Sequence, residues 1–229
     1  MSSSLSFANR DIVSIRDFTR EEIDYILEMA TAIEPLAERG SDMLRGKVLA
    51  NLFFEPSTRT QLSFQTAMYK LGGNVIGFAE AGISSVQKGE TLADTVRVVE
   101  KYADVIVMRH PLEGSARFAA EYASVPVING GSGAEEHPTQ AMLDLYTIMK
   151  AKGKIDGLNM ALMGDLRYGR TVHSLAYALC LYDVKVKLVS PSLLKMRREI
   201  LETIQNRIQV VECSEIEEIL PEIDVLYVC

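Results

Sequence analysis

The chain has 229 residues, 48% of them apolar, with a net charge of −7, which is enough for one large buried core or two small ones. Its acidity excludes non-specific nucleic-acid binding, which needs a basic face to displace condensed counterions, so any positive site has to be local. The three cysteines, Cys180, Cys213 and Cys229, lack both zinc spacing and a disulfide framework, the N-terminus has no basic start or apolar core, and no apolar run suits a membrane span, so a cytoplasmic protein without membrane partners is expected.

In chain order, Thr19 with Glu22 forms a capping box before Ile23, Ile26, Leu27, Ala30 and Ile33, which share one face of a helix expected to run to about Arg39, before Gly40. Short β-rich runs follow at 48–54, 74–78, 104–108 and 125–129, separated by helical stretches, one of them at 61–71. A long helix over about 138–150 gives way to the charged, Gly-containing stretch 151–157, a plausible hinge. The alternation resumes with runs at 159–163, 184–189, 208–211 and 225–228. Apolar strands alternating with crossover helices predict an α/β fold of two doubly wound parallel-sheet domains, 1–152 and 153–229, the second incomplete because its last strand has no covering helix.

In such sheets ligands sit beyond the carboxyl ends of the strands, and five groups of side chains fall there. Ser57, Thr58, Arg59 and Thr60 put three hydroxyls and a guanidinium at a strand-to-helix turn, a setting for phosphate, because free N–H groups and the helix dipole meet an anion together. The same pattern also describes a capped helix with a surface Arg. Arg109 and His110 close the run 104–108, where a salt-bridged Arg is the plainer reading. His137, Pro138, Thr139 and Gln140 follow a loop at 129–136, with Pro suited to the first helical turn. An imidazole and a carboxamide there are suitable donors for a carbonyl oxygen gaining charge in acyl transfer, although a solitary His at a helix start is more often only a cap. The loop 80–89 carries Ser84, Ser85 and Lys88 between Gly82 and Gly89, and its length suggests a working loop, with a solvated loop lysine as the plainer reading. In the second half, Gly164 to Arg170 follow the run 159–163, and Arg170 could hold a carboxylate, with Arg167 read as a solvated charge. There is no Ser-His-Asp arrangement, Cys-His pair, P-loop or dinucleotide fingerprint. What remains is a site that positions and polarises rather than attacks.

Five segments in order, Phe53-Phe54-Glu55-Pro56-Ser57-Thr58-Arg59-Thr60, Lys88-Gly89-Glu90-Thr91, Met108-Arg109-His110-Pro111, His137-Pro138-Thr139-Gln140 and Gly164 to Ser174, resemble the carbamoyltransferase family. The last of them resembles the catalytic chains of the aspartate branch rather than the ornithine branch. The resemblance implies transfer of a carbamoyl group from carbamoyl phosphate to L-aspartate, an early step of pyrimidine synthesis, without metal or organic cofactor. It implies that Ser57, Thr58, Arg59 and Thr60 bind phosphate, and that Thr60, Arg109, His137 and Gln140 surround the carbamoyl group, with His137 and Arg109 donating to its oxygen. It assigns aspartate binding to Arg170 and Lys88, and domain closure to Glu55. Ser84 and Lys88 are implied to reach a neighbouring subunit's site, making a homotrimer the minimal unit, with a regulatory chain as a possible further partner.

Family members continue past the position of Cys229 into an Arg-x-Gln loop, a His-Pro-Leu-Pro turn and a terminal helix. None of these is in this sequence. The expectation is a partial chain with a complete carbamoyl phosphate half-site, binding that substrate without efficient turnover. Ornithine carbamoyltransferase and a non-catalytic ligand-binding or assembly subunit stay open as alternatives.

Overall fold

The computed structural model describes residues 6–78 and 89–229. Ser84 and Lys88, assigned above to a shared site, lie outside the described residues. The first half contains α1 (Arg20–Ile33), α2 (Leu36–Arg39), β1 (Val48–Phe53), α3 (Thr58–Lys70), β2 (Asn74–Phe78), α4 (Leu92–Val99), β3 (Val105–His110), α5 (Ser115–Tyr122), β4 (Val127–Ser132) and α6 (Pro138–Lys152). The second contains β5 (Asn159–Met163), α7 (Arg170–Leu179), β6 (Lys185–Val189), α8 (Arg198–Gln205), β7 (Gln209–Cys213) and β8 (Val225–Val228).

The strands form two parallel four-stranded sheets, ordered β2-β1-β3-β4 and β7-β6-β5-β8. Each order reverses direction once, at β1/β3 and at β5/β8, and these reversals open the crevices where ligands bind in open α/β sheets. The α/β class with parallel sheets is therefore as expected from the run of apolar strands, whose central members are buried on both faces. In the first sheet Leu49, Phe53 and Val107 face α3 through Met68, while Ala50, Leu52, Ile106 and Met108 face α4 and α5 through Val96, Ala116 and Ala119. In the second, Met160, Leu162, Val186 and Leu188 pack on α7 and α8, in a core that also takes Ile23 and Leu27 of α1 and Leu145 of α6. Its other face holds the smaller cluster Ala161, Val189 and Ile219.

Several boundaries differ from the sequence reading, each for a local reason. The first helix ends at Ile33, not Arg39, because Pro35 lacks an N–H and cannot continue the ladder; a separate short turn follows. Its Thr19–Glu22 capping box is present in full. The helix expected from Gln61 begins at Thr58, with Ser57 as N-cap. β3 extends through Arg109 and His110, since Phe53 pairs with Arg109 and the Phe54 N–H donates to the Arg109 carbonyl at 2.8 Å. Part of the expected loop 129–136 is strand, as β4 runs to Ser132, with a register break between Met108 and His110. The exposed edge of β4 is covered by the N-terminal segment, where Ile12 exchanges backbone hydrogen bonds with Val127 and Asn129.

Candidate active site

Five of the described helices illustrate a division of labour at their N-termini. Thr19 caps α1 and Thr91 caps α4 with side-chain hydrogen bonds in the ordinary way. The residues before α3, α6 and α7, namely Ser57, His137 and Gly169, make no side-chain cap bond. These three starts sit at the carboxyl ends of β1, β4 and β5, so the Ser57 hydroxyl is left for another partner, while the His137 ring has Nδ1 3.3 Å from Thr139 Oγ1.

The residues that meet there come from both sheets. Glu55, just past β1, accepts a hydrogen bond from Arg109 Nε at 2.8 Å and another from Arg170 Nη1 at 2.7 Å on the same oxygen. Arg109 Nη1 also donates to the Gly130 carbonyl at 3.3 Å. Gly131 has φ of +122°, and a Cβ there would stand 3.1 Å from Arg170 Nη1 and 3.2 Å from Arg109 Nη1. Only glycine lets the backbone run this close to two guanidiniums. Asn129 shapes that turn, accepting from the Gly131 N–H at 2.8 Å and donating to the Val13 carbonyl at 2.9 Å. Thr60 in the first turn of α3 borders it, its methyl 3.7 Å from where a Gly130 Cβ would be. Thr58 and Arg59 are exposed, and among the described residues Arg59 makes no ion pair.

His137 is 5% exposed. Burial, followed by the Arg109 and Arg170 charges, lowers its pKa to about 4, so near neutral pH the ring is an uncharged imidazole with one donor and one acceptor nitrogen. Its backbone N–H donates to Ser174 Oγ of α7 at 2.8 Å, which pins the start of α6 to the second sheet's first helix. Fully buried His173 fastens the same junction, its Nδ1 and Nε2 each 2.9 Å from a carbonyl oxygen, of Ala134 and Leu166 respectively. Burial also lowers the Arg109 pKa, with the Arg170 charge acting in the same sense and Glu55 opposing.

His110, next to Arg109 in the same strand, does not join this cluster. Alternation sends it to the opposite face, where its Nδ1 accepts from the Leu112 N–H at 3.0 Å and its ring lies 4.9 Å from that of Phe54. Gln140, one turn into α6, has its amino group engaged, Nε2 donating to Asp144 Oδ1 at 2.9 Å. That amino group is the one expected from the sequence to donate to a carbonyl oxygen. Beyond β5, Asp165 Oδ1 accepts from the N–H groups of Arg167 and Tyr168, folding the loop back and bringing α7 to start at Arg170. Arg167 is exposed, as expected of a solvated charge.

Sequence reasoning missed Ser174 and Asp144. The i,i+4 spacing of Gln140 and Asp144 on one helix was a readable signal. Ser174 had none, since its partner is 37 residues away. Among the described residues no group of three or more His, Cys, Asp or Glu is placed to hold a metal ion.

Comparison with known proteins bears on this arrangement. Residues 10–150 match the family described as aspartate/ornithine carbamoyltransferase, carbamoyl-P binding domain. The chain is 57% identical over 227 residues to the aspartate carbamoyltransferase catalytic subunit of Thermococcus kodakarensis, covering 98% of this chain and 73% of that one. Identity to the subunit of the same name from Methanopyrus kandleri is 59% over 225 residues, covering 97% and 73%. The solved catalytic subunit of the M. jannaschii aspartate transcarbamoylase superposes with a TM-score of 0.90 at 50% identity, over 96% of this chain and 73% of that one. The Trypanosoma cruzi aspartate transcarbamoylase, solved with carbamoyl aspartate and phosphate, superposes with a TM-score of 0.92 at 40% identity, over 97% and 75%. The chain belongs to the family of aspartate carbamoyltransferase catalytic subunits.

Proposed function

We propose that this chain transfers the carbamoyl group of carbamoyl phosphate to the amine of L-aspartate, giving N-carbamoyl-L-aspartate and phosphate. The observation that carries the reading is the convergence of Arg109, Arg170, Glu55 and buried His137 on the glycine turn at the ends of β1, β3 and β4. Phosphate is held at the first turn of α3 by Ser57, Thr58, Arg59 and Thr60, where free N–H groups, hydroxyls and a guanidinium coincide. The aspartate nitrogen lone pair attacks the carbonyl carbon, the C=O electrons move onto oxygen, and the C–O bond to phosphate then breaks as the carbonyl reforms, the departing phosphate taking the proton that the nitrogen loses. Neutral His137, Arg109 and Thr60 donate to the oxyanion, a role in which one donor is typically worth roughly 100- to 1,000-fold in rate. Holding both reactants in line replaces a bimolecular encounter. Arg170, which already grips the Glu55 carboxylate, binds a carboxylate of the substrate, and aspartate carries two of these where ornithine has one and a side-chain amine. Glu55 joins the two halves of the site in the closed form, and we place the domain boundary at 152/153.

The same reading has Ser84 and Lys88 completing the site of a neighbouring copy in a homotrimer, with Lys88 also contacting aspartate, in a cytoplasmic enzyme of pyrimidine biosynthesis that a regulatory chain could join. Among the described residues, no helix is long and apolar enough to cross a membrane. Calorimetry with carbamoyl phosphate, run beside a colorimetric ureido assay with aspartate and with ornithine, tests the proposal. Saturable binding of carbamoyl phosphate, and product with aspartate but not ornithine, are expected. Binding without product from either amine would favour a ligand-binding subunit, and absence of binding would overturn the reading.

A further inference from the structure

The carboxamide of Gln140 has two chemically opposite ends, and the fold commits one of them to Asp144. The two residues lie one turn apart on α6, and Gln140 Nε2 donates to Asp144 Oδ1 at 2.9 Å. The second carboxylate oxygen, Oδ2, is buried without a hydrogen bond. Tyr227 of β8 acts on this carboxyl from the second sheet without filling the vacant position on Oδ2. No cationic side chain is among the groups acting on Asp144.

We infer that Asp144 is a positioning residue for carbamoyl transfer: by accepting from the Gln140 amino group it leaves Gln140 Oε1 as the end presented beside His137, where it accepts a hydrogen bond from the NH2 of the carbamoyl group. The inference rests on the functional reading above. An ionised carboxylate can only accept, so it admits one orientation of the amide; a protonated one can donate to Oε1 and reverse it, setting donor against donor at the ligand. Burial pushes the Asp144 carboxyl up to about 6, with Gln140 and Tyr227 opposing. Tyr227, pushed up to about 12 chiefly by burial, stays a neutral hydroxyl throughout this range. The ionised form of Asp144 therefore prevails above about pH 6, and the orienting effect fades below it.

The test compares wild type, Asp144→Asn, Gln140→Ala and the double variant by calorimetry with two probes, carbamoyl phosphate and inorganic phosphate. At pH 7.5 Asp144→Asn, whose amide donates as well as accepts and so no longer fixes the carboxamide, is expected to bind carbamoyl phosphate about two- to tenfold more weakly, at most the worth of one hydrogen bond. Inorganic phosphate, which has no NH2, should bind all four proteins alike. The wild-type advantage should close towards unity at pH 5, and the Asp144 change should have no further effect in the Gln140→Ala background. In parallel, the Gln140 side-chain amide resonances, identified by their loss in Gln140→Ala, should titrate near pH 6 in wild type and not in Asp144→Asn. Equal weakening of both probes, or an undiminished effect of Asp144→Asn without Gln140, marks a merely structural role and overturns the inference. Resonances that do not titrate overturn it even where carbamoyl phosphate binds normally, whereas failure of wild type to bind carbamoyl phosphate overturns the functional reading and the inference with it.

Discussion

Glu55 and Arg170 are 115 positions apart in sequence, yet their side chains meet at 2.7 Å, tying the tip of β1 in one sheet to the first residue of α7 beside the other. The same carboxylate oxygen holds Arg109 at 2.8 Å, so one anion offsets two cations that would otherwise repel across the crevice. Glu55→Ala removes that anion without removing either guanidinium. The pair side chains are 15–21% exposed, so the loss is below that of a fully buried pair, about 1–3 kcal/mol of unfolding free energy. Urea denaturation should show the loss, and calorimetry should show that inorganic phosphate still binds, since the Ser57 to Thr60 turn does not depend on Glu55. Unchanged stability would mean that the ion pair is not holding the halves together.

Ser174→Ala leaves the His137 N–H without its acceptor in a place from which water is excluded. An unsatisfied buried donor costs about 1–3 kcal/mol. Thermal or urea unfolding should register that loss. Carbamoyl phosphate affinity should fall as well, because the start of α6 loses its anchor. Wild-type stability and affinity in the variant would deny Ser174 this role.

His137 governs stability in a defined pH window. Its pKa is lowered from 6.5 to about 4 in the folded protein, so between those values the unfolded chain binds a proton that the folded one does not, and stability falls as pH drops through the window. Replacing it by a residue that does not titrate should flatten this part of the curve: wild type should lose more stability than His137→Gln between pH 6.5 and 4. Urea midpoints across that range are the measurement. Parallel curves would show that the imidazole is not held neutral by its surroundings.

Arg59 is the exposed cation of the α3 turn and makes no ion pair among the described residues, so removing it should not unfold anything. Arg59→Ala is expected to keep the wild-type melting temperature and to bind carbamoyl phosphate about 10- to 100-fold more weakly, the loss of one or two charge-assisted hydrogen bonds. A drop in stability instead of affinity would reassign it as a structural residue.

If sites are shared between copies, mixing inactive Arg59→Ala and Lys88→Ala proteins under conditions of subunit exchange should restore part of the ureido-forming activity. Mixed trimers contain some sites with both residues intact. A mixture as inactive as its parts would count against sharing.

The sequence by itself determined the layered architecture. Apolar runs such as 48–53 and 159–163 cannot be solvated on either face, and with helical stretches between them they leave little but parallel sheets covered on both sides. It also determined which chemistry lies at strand ends, because Ser57 to Thr60, Arg109, His137 and Gly164 to Arg170 each follow such a run. The limits of elements were less legible where a backbone partner far along the chain decides them: β3 reaches His110 because Phe53 and Phe54 pair with Arg109 and Ser132 pairs with His110, and no local signal announces that. Only tertiary structure decided that Glu55 stands between Arg109 and Arg170, that Ser174 holds the start of α6, and that Arg109 and not His110 faces the crevice. Those relations arise where two sheets meet. Their geometry is fixed by the packing of α1, α6 and α7 into one core, and a hydrogen bond between residues a hundred positions apart leaves no periodicity in the chain from which it could be read.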